Sequence, residues 1–221
     1  IFFNIITIDT EKAKLRQKSL KENFDSHNIP FSFKYGLKTG QINMNEYNNP
    51  QNKYDNIRDL TETEIALAKN HLNIYKNFLK SDKKYLLIGE DDVRVKNNFK
   101  ENLINLMSKV PDDFDLVKLE YILSANYNED NPKDVPNNIT KMECRSNIKK
   151  PGSAGYVISK KGAKFFLDVN QPIWLASDGV FDPVHQFNKF NKTANTYYSY
   201  PRLMHQGLTN NKQLYLNRLT N

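Results

Sequence analysis

Tyr85-Leu86-Leu87-Ile88-Gly89-Glu90-Asp91-Asp92-Val93 is an apolar run that breaks into three consecutive acids. Its length and residue types predict a buried β-strand. Open α/β sheets place ligands beyond the carboxyl ends of their strands, so the acids fall where a site is expected. Adjacent carboxylates repel one another and are costly to desolvate at the edge of a core. A divalent cation would relieve both problems, and oxygen-only ligation selects a hard ion, Mg²⁺ or Mn²⁺. If strand geometry continues past Glu90, residues i and i+2 share a face, so Glu90 and Asp92 point toward one ion. The alternative is that the acids are solvated loop residues after a strand.

Working outward, strands and helices alternate. Phe2 to Ile8 reads as an opening strand, and Asp9-Thr10 as the cap of a helix from Glu11 to about His27. In that helix Ala13, Leu20 and Phe24 form a thin apolar stripe, with Lys12, Lys14, Arg16, Lys18 and Lys21 on the other faces. Phe31 to Tyr35 alternates as a second strand. Thr61-x-x-Glu64 has capping-box spacing and opens a helix that runs to about Lys80. After the acidic strand, Asn97 to Lys109 reads as a helix and Phe114 to Leu119 as a strand. Ser153 to Ile158 is another strand, and Ser159 to Val169 a short helix. The pattern past Pro172 is irregular. The succession predicts an α/β fold, with a mixed, mostly parallel sheet flanked by helices. Residues 1–221 read as a single domain, with polar loop excursions at 36–59 and 121–150.

Composition narrows the class. The chain has 221 residues, 38% of them hydrophobic and 12% aromatic, which is enough for a substantial core and too rich for disorder. No apolar stretch approaches a membrane span, and no secretory signal is present. Cys144 is the only cysteine, which excludes an intrachain disulfide and a multi-cysteine zinc site and fits a reducing, cytoplasmic setting. In that setting the sequons at Asn138 and Asn191 read as chance matches. The formal charge of +7 suits phosphorylated small molecules or an anionic membrane surface. No helix-turn-helix, zinc finger or aromatic RNA-binding motif accompanies it, so nucleic acid is not expected. Glycine fingerprints for dinucleotides, P-loops and Gly-x-Ser-x-Gly elbows are absent too, which disfavours dehydrogenases, P-loop NTPases and α/β-hydrolases.

Three further sites have chemical potential. Glu64 and His71 lie seven residues apart, close to two helical turns, and so share a helix face. Each has a plainer reading, Glu64 as a cap and His71 as a structural hydrogen-bonder. Asp178 and Asp182 flank Gly179-Val180-Phe181; one is suited to general base work, and Ser177-Asp178-Gly179 equally has turn chemistry.

The ordered segments resemble glycosyltransferase family 25, which includes lipooligosaccharide galactosyl- and glucosyltransferases and relatives of the collagen galactosyltransferases. The resemblance rests on a strand and charged helix over Ile5 to Arg16, and on Leu60-x-x-x-Glu64 closing at His71. It continues through Leu86 to Val93 with its Glu-Asp-Asp, Asp115 to Leu119, Gly155-Tyr156, Gly162-Ala163 and a late acid at Asp178. The family's Ile-Asn-Leu is Ile6-Thr7-Ile8 here, its early helix Arg is replaced by Lys14, and its Gly-Cys-x-x-Ser-His is Ala66 to His71. The resemblance implies a GT-A fold and inverting transfer of a hexose, galactose first and glucose next, from a UDP-sugar to a lipooligosaccharide or other glycan or glycolipid acceptor. Glu90 and Asp92 then correspond to the metal-binding acids of lipopolysaccharide-biosynthesis enzymes that use manganese or magnesium. Asp178 corresponds to the catalytic base. Thr7, Lys14 and Asp91 fall on the donor side, and Glu64 and His71 line it or support the metal loop. The protein is then expected in the cytoplasm, peripheral at the inner membrane through Lys12 to Lys21. Metal-dependent nucleotidyl or phosphoryl transfer, and a non-catalytic nucleotide-sugar-binding domain, are the alternative functions.

Overall fold

A computed structural model describes residues 2–47, 58–121, 140–141 and 152–207. Strand β1 (Phe3–Thr7) leads into helix α1 (Glu11–Ser26), β2 (Phe31–Tyr35), α2 (Glu62–Leu79) and β3 (Tyr85–Glu90). Then come β4 (Val93–Val95), α3 (Phe99–Met107), β5 (Leu116–Lys118) and β6 (Thr140–Lys141). The described chain continues through β7 (Gly155–Ser159), α4 (Lys160–Val169), α5 (Pro183–Phe190), β8 (Thr196–Tyr198) and β9 (Met204–Gln206). Cys144, Asn138, Pro132, Pro136 and Lys149-Lys150 lie outside the described residues, as does most of the 121–150 excursion.

The strands form a seven-stranded sheet in the order β2-β1-β3-β7-β5-β8-β6. The β1–β2, β1–β3 and β5–β8 pairs are parallel, whereas β7 opposes both of its neighbours and β6 opposes β8. Five strands therefore point one way and two the other, a mixed and mostly parallel sheet as the alternation predicts. β4 and β9 pair separately as a two-stranded antiparallel ribbon. The Ser153–Ile158 segment is a strand as expected, and its antiparallel insertion sets Gly155 opposite Gly89 and Tyr156 opposite Ile88.

Strand alternation divides the apolar side chains between two layers. On one face, Leu86, Ile88, Leu116 and Ile158 pack against Ile65, Leu72 and Tyr75 of α2 and Ala163 and Phe166 of α4. On the other, Phe3, Ile5, Val117 and Val157 pack against Leu20 and Phe24 of α1 and Phe99 and Leu103 of α3. The thin stripe read from α1 is thus buried against the sheet, and its lysines face solvent. Among the described residues no helix is long and apolar enough to cross a membrane.

Local chemistry sets the helix starts. Thr10 caps α1 by accepting from the Ala13 amide, and Asp9 does not serve as the cap. Thr61 and Glu64 form the complete capping box at α2. Ser159 caps α4 by accepting from the Gly162 amide at 3.1 Å. The described part of the 36–59 excursion is tied down by backbone and side-chain bonds. Asn70 of α2 accepts from the Leu37 amide at 2.8 Å and donates to the Leu37 carbonyl at 3.2 Å. Farther along, the Ile173 amide donates to the Glu46 carbonyl at 2.8 Å. After Pro172, where the sequence pattern is irregular, the chain supplies α5, β8 and β9; the two strands are held by pairing with β5 and β4, and α5 is tied to its surroundings through Gln186, which donates to the Val180 carbonyl and accepts from the Ala194 amide.

Gly162, in the first turn of α4, permits that helix to rest on the entry to β5. A Cβ there would lie 2.1 Å from the Asp115 carbonyl oxygen. Helix propensity alone favours Gly162→Ala by about 1 kcal/mol, but the overlap with backbone outweighs it. The variant is expected to lose roughly 1–3 kcal/mol net, read as a lower urea midpoint at unchanged slope.

Candidate active site

β3 ends at Glu90, and Asp91 and Asp92 form a turn into β4. The extended geometry that would carry Glu90 and Asp92 on one strand face therefore stops one residue early. The turn sends the acids to different partners.

Asp91 belongs to the α1 side. Its carboxylate accepts from Thr7 Oγ1 at 2.6 Å, from Arg16 Nε at 2.5 Å and from Arg16 Nη2 at 3.1 Å. Gln17 Nε2 donates to Thr7 Oγ1 at 2.8 Å, closing a cluster at the end of β1. Burial alone would lower the Arg16 pKa, but the Asp91 bond and the charges of Asp91, Asp92 and Glu90 raise it. The structure thus brings Thr7 and Asp91 together. It places Lys14 elsewhere, on the exposed side of α1, 2.7 Å from Glu11. Arg16 stands two residues beyond Lys14, about 200° around the helix. The sequence reading sets Arg16 with the lysines on the faces away from the stripe; the structure corrects this and turns it to Asp91, and the spacing carries the signal, since Arg16 and Gln17 sit one turn from both Ala13 and Leu20.

Glu90 faces the α2 side. Ser153 Oγ donates to its Oε1 at 2.8 Å, and Ser177 Oγ lies 2.8 Å from Ser153 Oγ. His71 Nε2 lies 3.4 Å from the same Oε1. His71 Nδ1 meets the Tyr156 hydroxyl at 2.6 Å, and Tyr156 meets the Tyr75 hydroxyl at 2.6 Å. His71 is only 2% exposed, so it stands behind Glu90 rather than on an open surface. Asp178, next to Ser177, is half-buried and accepts from the Gly152 amide at 3.3 Å. Glu64 remains with its cap and with Arg58, whose hydrogen bond holds its carboxyl well below the usual range, at about 2. Arg58 also feels the charge of Asp178, so Glu64, Arg58 and Asp178 share one rim of the site. Asp182 caps α5 by accepting from the Val184 amide.

Asp92 is buried in the turn, and its carbonyl accepts from the Gly207 amide at 3.1 Å. Two residues on, buried Arg94 has its pKa lowered by burial, against which Asp92 and Asp91 work. A fourth acid joins them. Glu120, just past β5, is 1% exposed, and its Oε2 has no hydrogen-bond partner among the described residues. Burial pushes its carboxyl up to about 7; Lys118 opposes the shift, and Glu90 and Asp92 add to it. Glu120 was not singled out in the sequence, yet the same signal that marked Glu90 was there, an acid directly after an apolar strand.

This donor set is oxygen-rich and suits a hard divalent ion. Glu90 and Asp92 supply two carboxylates, but among the described residues no three His, Cys, Asp or Glu side chains form a group able to hold a metal. Any ion here would draw its remaining ligands from bound substrate. A separate concavity lies away from these residues. It encloses about 390 Å³, is lined by Lys83, Lys84, Asp113 and Lys160, and opens at the other end of β3. It is mixed in charge and lacks the polar network described here.

Comparison with known proteins identifies the family and the fold. The model of Glycosyltransferase family 25 (LPS biosynthesis protein) matches residues 2–181. A putative glycosyltransferase of Haemophilus influenzae is 28% identical over 191 residues, covering 84% of this chain and 64% of its own length. Human procollagen galactosyltransferase 2 is 31% identical over 117 residues, 51% of this chain and 18% of its own. The chain thus spans less than two thirds of either relative. A solved glycosyltransferase involved in the glycosylation of the major capsid of PBCV-1 superposes with a TM-score of 0.51. That match covers 99% of this chain and 98% of that one at 7% identity, a likeness of fold.

Two stability tests follow from these contacts. Arg16→Leu leaves Asp91 buried without its cation and should cost about 2–4 kcal/mol in urea denaturation; adding Asp91→Asn should restore part of that loss. Glu120 binds its proton more readily folded, at about 7, than at the ordinary value of 4.5. The folded state therefore holds more protons between those values, and stability falls as pH rises from 4.5 through 7. Glu120→Gln should gain up to roughly 3 kcal/mol over the wild type above that window and nothing below it, read by denaturation across pH.

Proposed function

We propose, from the premise that this chain belongs to glycosyltransferase family 25, that it moves a hexose from a UDP-sugar to a hydroxyl of a glycan or glycolipid with inversion at the anomeric carbon. Galactose is the first choice of sugar and glucose the second, and lipooligosaccharide is the acceptor class. One relative's name, a procollagen galactosyltransferase, supports galactose, and the family's description as an LPS biosynthesis protein supports the acceptor. The observation that carries the reading is the divided acidic turn at the carboxyl end of β3. Asp91 is paired with Arg16, Glu90 accepts from Ser153, and Glu90 and Asp92 both act by their charge on buried Glu120.

In this reading Glu90 and Asp92 hold a divalent cation, Mn²⁺ or Mg²⁺, which when bound neutralises charge on the departing diphosphate. Thr7 and Asp91, locked to Arg16, shape the donor side next to them. Asp178 accepts the proton of the acceptor hydroxyl. That oxygen bonds to the anomeric carbon, the bond from carbon to the diphosphate oxygen breaks, and its electron pair leaves with UDP. Asp178 is suited to this role because it is half-buried on the same rim, joined to Glu90 through Gly152, Ser153 and Ser177. The exposed Lys12, Lys14, Lys18 and Lys21 of α1 support contact with an anionic membrane surface on the cytoplasmic side.

Incubation with UDP-galactose, Mn²⁺ and a lipooligosaccharide acceptor should release UDP and give galactosylated product. Asp92→Asn should lower turnover by at least about 100-fold while leaving the melting temperature within a few degrees. Undiminished turnover in that variant sinks the assignment of Asp92, and donor binding without turnover across a broad acceptor panel would instead identify a non-catalytic binding domain.

A further inference from the structure

His71 is held in a way that neither capping nor packing requires. It is 2% exposed, and Tyr156 and Tyr75 behind it are 0% and 1% exposed. The three polar side chains form one line, Tyr75 Oη to Tyr156 Oη at 2.6 Å and Tyr156 Oη to His71 Nδ1 at 2.6 Å. The line ends at His71 Nε2, which is buried, makes no hydrogen bond among the described residues, and lies 3.4 Å from Glu90 Oε1. A buried N–H left unmade costs about 1–3 kcal/mol, so its retention there calls for a partner. Contacts at catalytic groups are commonly long before substrate binds and tighten in the complex.

The proton order in this line is decided at one end. A hydroxyl both donates and accepts, so Tyr75 and Tyr156 are satisfied whichever way the line runs. The carboxylate is not indifferent. With the proton on Nδ1, the Nε2 lone pair would face Glu90 Oε1; with the proton on Nε2, an N–H faces it. The second arrangement makes Tyr156 donate to Nδ1 and Tyr75 donate to Tyr156. On the far side of the same Oε1, Ser153 donates at 2.8 Å, and Ser177 completes that arm at 2.8 Å from Ser153.

We propose that His71 is a positioning residue for Glu90: carrying its proton on Nε2, it joins Ser153 in gripping Glu90 Oε1 and so fixes the carboxylate for the donor. This rests on the transferase reading above; of the two roles implied for His71, lining the donor or supporting the metal loop, it takes the second and names Glu90 Oε1 as the atom through which His71 acts. Polar groups of this kind, one shell behind a ligand, are commonly worth 10–100-fold in activity.

Two measurements on the full chain test it. Two-bond proton–nitrogen correlation spectra of the four histidines, with His71 assigned by its loss in His71→Gln, should show the Nε2–H tautomer in the wild type. A mixture of tautomers is expected in Glu90→Gln, and the Nδ1–H form in the wild type overturns the proposal. In transfer assays His71→Leu should lower kcat about 10–100-fold with donor KM within about threefold, and His71→Gln, which keeps an N–H donor, should recover part of it. Equal losses in both variants that track lost thermal stability would show a packing role and overturn it. A wild type that transfers no sugar would sink the transferase reading alone, since the tautomer signature needs no turnover.

Discussion

Three consecutive carboxylates at the mouth of a buried sheet have to be compensated, and the local structure is organised around doing so. The turn after β3 separates them. Asp91 goes to Arg16 and Thr7 on the α1 side, and Glu90 to Ser153 and His71 on the α2 side. Asp92 shares the turn with Arg94, whose pKa it raises against burial. A cation is thus one way to relieve the repulsion, but the protein already supplies arginines, so the turn can be built before any ion arrives. Glu120 lies within reach of the acids' charge: its carboxyl is pushed up to about 7, by burial first, with Glu90 and Asp92 adding to the shift and Lys118 opposing it.

The antiparallel insertion of β7 between β3 and β5 is the topological device that makes the site. In this register Gly155 lies opposite Gly89, which brings Ser153 to Glu90 and puts Tyr156 beside His71. The same strand brings Tyr156 opposite Lys118 on its other edge. Glycine at 155 is demanded by crowding: a Cβ would meet the Met204 sulfur at 2.8 Å and Glu120 Cβ at 3.3 Å. One strand thereby aligns residues that lie more than 80 positions apart, and it does so with backbone pairing rather than loop contacts.

The two sides of the sheet contribute differently. On the α1 side the polar contacts are few and strongly charged, with the fork of Arg16 matched to one carboxylate. On the α2 side they are mostly hydroxyl and imidazole groups, and the Tyr75, Tyr156 and His71 line is buried to 2% exposure or less. The first arrangement anchors the turn to the fold. The second adjusts a single carboxylate without adding charge to a core that would be costly to ionise.

Periodicity and end signals by themselves determined the alternating α/β order, the strand that ends in acids, the Thr61–Glu64 capping box and the buried stripe of α1. These are local properties, settled by neighbours within a few residues. The late elements α5, β8 and β9 were not legible, because each is short, and the two strands exist only through pairing with strands much earlier in the chain. The site divided in the same manner. Glu90, Asp91, Asp92, His71 and Asp178 were visible as residue types in suggestive places. Their partners Arg16, Ser153, Tyr156 and Glu120 were not, since burial and pairing partner are set by long-range packing. The sequence could put three acids at the end of a strand; only the turn, the β7 register and the placement of α1 and α2 decided which acid pairs with Arg16 and which meets Ser153 and His71.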